Sequence, residues 1–159
     1  LSVRRQSDHQ RRRGAVVGSL NLPVDYERRF TFWLPRAALR WDVTRSLRLG
    51  AVVQRASNPG GTSLNFVTGE PEVLDAETLW NAELFARLRL LDGRLTLSAN
   101  LFHNAHRDAQ RALARTFVGP ASTLVWYELY NVARATSEGL EASVEWRASD
   151  QLTLRGGLG

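Results

Sequence analysis

Leu79-Trp80-Asn81-Ala82-Glu83-Leu84-Phe85-Ala86-Arg87-Leu88-Arg89-Leu90-Leu91 is the stretch that decides the fold. Trp80, Ala82, Leu84, Ala86, Leu88 and Leu90 share one parity. Asn81, Glu83, Phe85, Arg87 and Arg89 share the other. A period of two means a strand with one apolar and one polar face. Asp92-Gly93 follows, a strong hairpin sequence. The alternation then resumes, with Leu95, Leu97, Ala99 and Leu101 set against Arg94, Thr96, Ser98 and Asn100.

The same plan recurs outward in both directions. Ala37, Leu39, Trp41 and Val43 alternate with Arg36, Ala38, Arg40 and Asp42, and after a turn near 44–46 come Leu47, Leu49, Ala51 and Val53. Leu140, Ala142, Val144 and Trp146 alternate with Glu141, Ser143, Glu145 and Arg147. A turn at 148–150 then leads to Leu152 and Leu154. Three hairpins therefore have short turns at one end. Their strands run roughly nine to thirteen residues, long for a globular sheet but suited to a tilted membrane-spanning strand. The remaining connections, about 8–30, 57–76 and 105–125, read as long polar loops, with Asn58-Pro59-Gly60-Gly61 and Gly119-Pro120 as turn residues. Short turns on one side and long loops on the other is the asymmetry of an outer-membrane barrel.

The tryptophans agree. Trp41 and Trp146 fall close to short turns, and Trp33, Trp80 and Trp126 fall near the long-loop ends. Trp33, Trp41, Trp80 and Trp146 are thus candidates for two aromatic girdles at the membrane interfaces. A soluble β-sandwich would also alternate on its inner faces. Strand length and loop asymmetry favour the barrel.

Composition narrows the classes further. The chain has 159 residues, no Cys and no Met, and all 21 of its basic residues are Arg. Without Cys there is no disulfide scaffold, Cys-ligated zinc site or thiol catalysis. No run approaches the 18 apolar residues of a transmembrane helix. The net charge of +5 is local: residues 1–45 hold ten Arg and four acids, residues 46–159 eleven Arg and twelve acids. Arg11-Arg12-Arg13 lacks interleaved aromatics for base stacking, so it reads as an exposed loop and no nucleic acid is expected as a partner. A chain that starts at Leu1 without Met is expected to be a piece of a longer protein.

Three blocks carry a family resemblance. They are Glu77-Thr78-Leu79-Trp80-Asn81-Ala82-Glu83-Leu84, then Asp92 to Phe102, then Asn131-Val132-Ala133-Arg134-Ala135-Thr136-Ser137-Glu138-Gly139-Leu140-Glu141. In this order and spacing the chain resembles the β-barrel domain of a TonB-dependent outer-membrane receptor, most clearly over 35–159. Ala76 and Ala133 depart from the usual Pro and Gly. The resemblance implies an all-β fold: an antiparallel meander forming part of a transmembrane outer-membrane β-barrel of about 22 strands. Residues 1–159 would be a partial barrel domain with seven or so strands, the plug domain being absent from it. It further implies active uptake of a scarce ligand, such as a ferric siderophore, cobalamin or a glycan, across the outer membrane of a Gram-negative bacterium. Implied partners are outer-membrane lipid, the plug, the inner-membrane TonB complex acting through the plug, and a small-molecule or metal-chelate ligand. No covalent chemistry and no cofactor are implied. A non-transporting adhesin or signalling barrel, or less readily a soluble basic β-domain, would share the wall features.

In such a barrel Arg36, Arg40, Glu83, Arg87, Arg89, Glu141, Glu145 and Arg147 would face the lumen, because they lie on the polar parity. Trp126, Tyr127 and Tyr130 are candidates for ligand contact at the extracellular mouth, with interface anchoring as the alternative. His103, His106 and Asp108 have metal-ligand types at close spacing, but they read as a solvated loop rather than a metal site. Glu141 and Glu145 would sit about 13 Å apart along a strand, too far for paired acid–base work.

Overall fold

The computed structural model describes residues 1–17, 20–64, 70–120 and 122–159. Nine antiparallel strands account for nearly all of them: β1 Ser2–Val17, β2 Leu20–Asp42, β3 Leu47–Asn58, β4 Gly61–Leu64, β5 Pro71–Leu74, β6 Glu77–Leu90, β7 Leu95–Val118, β8 Thr123–Arg147 and β9 Thr153–Leu158. Seven form one open meander in the order β1-β2-β3-β6-β7-β8-β9, and β4 pairs with β5 as a separate hairpin within the β3–β6 connection. Among the described residues there is no helix.

The three short turns lie where the alternation places them. The β6–β7 turn carries Leu91, Asp92 and Gly93 with φ of 52°, 53° and 81°. Gly93 N donates to Leu90 O and Arg94 N to Leu91 O. Successive positive φ values make the tight turn whose twist matches paired strands.

The expected long loops are corrected. Residues 8–30 are mostly strand: β1 and β2 pair from Ser2↔Arg36 to Val17↔Leu20, with a register shift at Gly14, whose φ is 65°. Residues 105–125 likewise belong mainly to β7 and β8, which stay paired out to Val118↔Thr123. The 57–76 segment contains the β4–β5 hairpin, while residues 65–69 lie outside the described residues. The expected strand length is therefore too short, since β2, β7 and β8 have 23, 24 and 25 residues. The short-turn halves of these strands alternate. Their far halves continue the pairing without an apolar outer face.

Register aligns the two faces across the sheet. One face carries rows such as Leu39–Ala51–Leu84–Leu101–Leu140 and Leu47–Leu88–Leu97–Val144. Its large side chains are exposed, Leu39 at 69% and Leu84 at 58%. This face is called outer here. The inner face is the one over which the β4–β5 hairpin lies.

The core sits under that hairpin. Val24, Tyr26, Phe32 and Leu34 on β2 are buried with Leu74 of β5. Phe30 and Phe32 stack with ring centroids 6.2 Å apart. In this part of β2 the apolar parity has moved to the inner face, because the hairpin covers it.

Candidate functional site

The inner face is built in three tiers. Nearest the short turns it is charged. Arg48 Nε donates to Asp42 Oδ1, and Arg40 Nε lies 3.9 Å from the other carboxylate oxygen. Arg155 pairs with Glu145 at 3.0 Å. An open recess of about 810 Å³ is lined by Arg40, Arg48, Glu83, Arg87, Asn100 and Glu141, among others. Arg40, Glu83, Arg87 and Glu141 are thus brought together by register across β2, β6 and β8. Arg89 is nearer the turn, and its N–H donates to Ser46 O. Arg147 does something different: its Nη2 donates to Gly93 O, while Arg94 donates to the carbonyls of Arg147 and Ala148. These two guanidiniums tie neighbouring turns together.

The middle tier is a ladder of amides. Arg36, Gln54, Asn81, Asn104 and Ser137 stand in one row across β2, β3, β6, β7 and β8. Gln54 Nε2 donates to Asn81 Oδ1 at 3.1 Å, Asn81 Nδ2 to Asn104 Oδ1 at 2.9 Å, and Asn104 Nδ2 to Ser137 Oγ at 3.1 Å. A carboxamide both donates and accepts, so the chain of bonds can pass from strand to strand. Sequence reasoning missed this row. Its only trace is Asn81 standing among charged residues on the polar parity.

The far tier is the clasp that holds the hairpin. Gln110 Nε2 donates to Pro59 O and Asp75 O, both at 3.0 Å. Asn131 accepts from Asp75 N at 2.8 Å and donates to Asp75 O and Asp108 O. From the other side Arg12 donates to Thr62 O and Oγ1, and Arg28 lies 3.5 Å from Asp75. A cleft of about 500 Å³ remains between β1–β2 and the hairpin, lined by Gln10, Arg12, Tyr26, Gly61 and Leu129 among others. Tyr26 is buried and its hydroxyl has no hydrogen-bond partner.

The arginine run is not a loop. Arg11 and Arg13 face Glu27 and Asp25 across the β1–β2 pair, with contacts of 3.8 and 3.4 Å. His103, His106 and Asp108 lie in β7, not in a loop. His103 meets Glu138 at 3.1 Å on the outer face, whereas His106 meets Glu77 at 2.7 Å on the inner. Adjacent candidates on opposite faces cannot share an ion. Among the described residues no metal-ligating cluster is found.

Trp33, Trp41, Trp80 and Trp146 are all exposed on the outer face. Trp33 and Trp41 are eight residues apart on β2, about 27 Å along the strand. Trp126, Tyr127 and Tyr130 lie on β8, where alternation places Tyr127 on the opposite face from the other two. They do not form one platform. Glu128, between them, is buried and bonded to Arg115 Nε at 2.9 Å.

A two-faced antiparallel meander of this kind is a barrel wall, and the family comparison agrees. The model of the TonB dependent receptor-like β-barrel matches residues 1–159. The chain belongs to that family. Siderophore receptors are among its structural neighbours. The ferric enterobactin receptor PfeA of Pseudomonas aeruginosa, solved as a mutant in complex with enterobactin, aligns with a TM-score of 0.55 at 19% identity, over 80% of this chain and 22% of that one. The siderophore receptor PirA of Acinetobacter baumannii aligns with a TM-score of 0.50 at 15% identity, over 76% and 21%. At these identities the likeness is one of fold. The chain spans about a fifth of the length of these receptors, and its sheet is open. Among curated proteins there is no sequence match.

Proposed function

We propose that the chain is a section of the barrel wall of an outer-membrane receptor that takes up a scarce ligand by TonB-dependent transport. The observation that carries this reading is the division of the sheet. The outer face bears a Trp-bounded apolar band, and the inner face is charged and amide-lined along the same strands. A wall of this kind puts lipid on one side and a plug and ligand path on the other. The short turns would then be periplasmic and the clasped hairpin extracellular.

In this reading Arg36, Arg40, Glu83, Arg87, Arg89, Glu141 and Glu145 line the lumen against the plug. Ligand contact falls to the far tier, where the cleft beside Arg12 and Tyr26 opens and Tyr127 is exposed. A siderophore is the favoured ligand class, because the two receptors described above are siderophore receptors. The reading calls for binding and release alone, with no covalent step.

The test is uptake. The receptor carrying this wall is expressed in a host lacking its own siderophore receptors, and ferric-siderophore accumulation is measured with and without TonB. Accumulation that needs both is expected. A receptor that reaches the outer membrane, binds ligand and gives no TonB-dependent accumulation would make it a non-transporting barrel.

A further inference from the structure

The outer apolar band stops abruptly, and what lies beyond it is basic. Three consecutive outer-face rows cross β3, β6, β7 and β8. The first is Val53–Ala82–His103–Glu138, the next Arg55–Trp80–Ala105–Thr136, and the third Ser57–Thr78–Arg107–Arg134. The first row closes its charge internally, through the His103–Glu138 contact. The third does not. Arg107 and Arg134 are directly opposite each other on paired strands, both exposed, and among the described residues neither has an ion pair or side-chain hydrogen bond.

Like charges set directly opposite across a strand pair destabilise a sheet. Other outer-face arginines avoid this: Arg11 and Arg13 oppose Glu27 and Asp25. Two further polar groups point to the same region. Arg55 Nε and Ser57 Oγ, one strand beyond β6, are buried without a partner. Neighbouring strands lie about 4.8 Å apart, so guanidiniums on β3, β7 and β8 can converge over Thr78. Arginine offers a planar fork of donors suited to phosphate oxygens.

We propose that Arg107, Arg134 and Arg55, with Ser57, form a site for the phosphate of a membrane lipid headgroup. The lipid's chains would lie along the apolar band below. Continuity decides the occupant. Trp80, directly opposite Arg55 and one row below the arginine pair, marks the level at which apolar surface gives way to charge, and a headgroup phosphate sits at that level in a bilayer. The site lies on the opposite face from the amide ladder, so a transported ligand would not reach it. It rests on the reading that the outer face meets lipid, not on the identity of any transported molecule.

The experiment uses the intact receptor in neutral detergent, with native mass spectrometry as readout. The probes are dioleoyl phosphatidic acid, dioleoylglycerol with the same chains, and inorganic phosphate. Phosphatidic acid is expected to bind and survive transfer, and dioleoylglycerol is not. The double variant Arg107→Gln/Arg134→Gln should weaken phosphatidic acid binding at least tenfold. Arg107→Lys/Arg134→Lys should recover part of it, and the lumen-facing control Arg87→Gln should leave it unchanged. Assembly of each variant is checked by heat-modifiable migration on gels. Equal binding of dioleoylglycerol, or full binding by an assembled double glutamine variant, overturns the site. Binding of inorganic phosphate as tight as that of the lipid overturns the lipid as occupant. Failure of the wild type to enter the outer membrane would instead defeat the membrane reading, so the two failures are distinguishable.

Discussion

Phe85 of β6 lays its ring over Gly50 of β3, directly opposite it in register. A Cβ built on Gly50 would meet Phe85 Cζ at 2.1 Å and the backbone oxygen of Leu39 at 2.8 Å. The same device recurs on the other side of the inner face, where Phe102 covers Gly139. A bare backbone gains cover from an aromatic across the strand pair, and the ring gains a flat seat. Gly50→Ala should destabilise the assembled barrel by about 1–3 kcal/mol, the usual cost of overpacking. Removing the ring as well, in Gly50→Ala/Phe85→Ala, should return only part of this, because the Leu39 carbonyl stays in the way. Denaturant unfolding in micelles would measure both, and full additivity of the two substitutions would mean that the ring and the glycine do not interact.

Asn81 is the hinge of the amide ladder, accepting from Gln54 and donating to Asn104. It is also one of two buried polar residues among those described. Asn81→Leu should leave both neighbours unsatisfied and cost about 1–3 kcal/mol. Asn104→Leu removes the next link and should couple with it. Ser137→Ala, at the end of the chain, should cost less than either, since one partner alone is lost. The ordering centre, next link, end distinguishes a cooperative ladder from three separate bonds.

Which parts of this were legible follows from where each strand meets a contrast of environments. Between residues 79 and 101 one face is apolar and the other polar, so Leu84 and Glu83 declare opposite sides. Residues 4–13 carry polar side chains on both faces, and alternation disappears although the backbone remains fully paired. From Arg107 to Val118 polar and apolar residues are mixed on both parities, and alternation is lost there too. Length could not be recovered there, because pairing lives in backbone bonds that leave no mark on composition. The apolar residues at the start of β2 depend on contacts that alternation does not show, Phe30 and Phe32 among them. They are apolar on the inner parity because β4–β5 folds over them, a contact between segments distant in sequence. The partners of Gln110 and Asn131 are equally non-local.

Leu84 and Glu83 also give a direct test of facing. Leu84 is exposed in the middle of the outer band, four residues from Trp80. Leu84→Arg should destabilise the membrane-inserted receptor by about 2–4 kcal/mol if that face meets the bilayer interior. Glu83→Arg, one residue away on the recess side, should change stability by less than about 1 kcal/mol. Comparable losses for both would mean that the sheet does not separate lipid from water as its rows indicate.

Asn131 offers the sharpest handle on the hairpin. Its carboxamide holds Asp75 twice, accepting from the Asp75 N–H and donating to the Asp75 carbonyl, and donates also to the carbonyl of Asp108. Asp108 has a positive φ of 52°, an uncommon backbone conformation in mid-strand, and its carbonyl accepts from Asn131. Asn131→Ala should loosen β5 without disturbing the paired strands beneath, because β7 and β8 keep their register on both sides of the site. Amide exchange over residues 71–76 should rise severalfold, while exchange in 95–104 stays at the wild-type rate. If the cleft beside Arg12 and Tyr26 is where ligand sits, the same variant should weaken ligand binding measured by fluorescence quenching, with little change in the unfolding midpoint. Unchanged exchange over 71–76 would show that Gln110 and Arg28 hold the hairpin without Asn131.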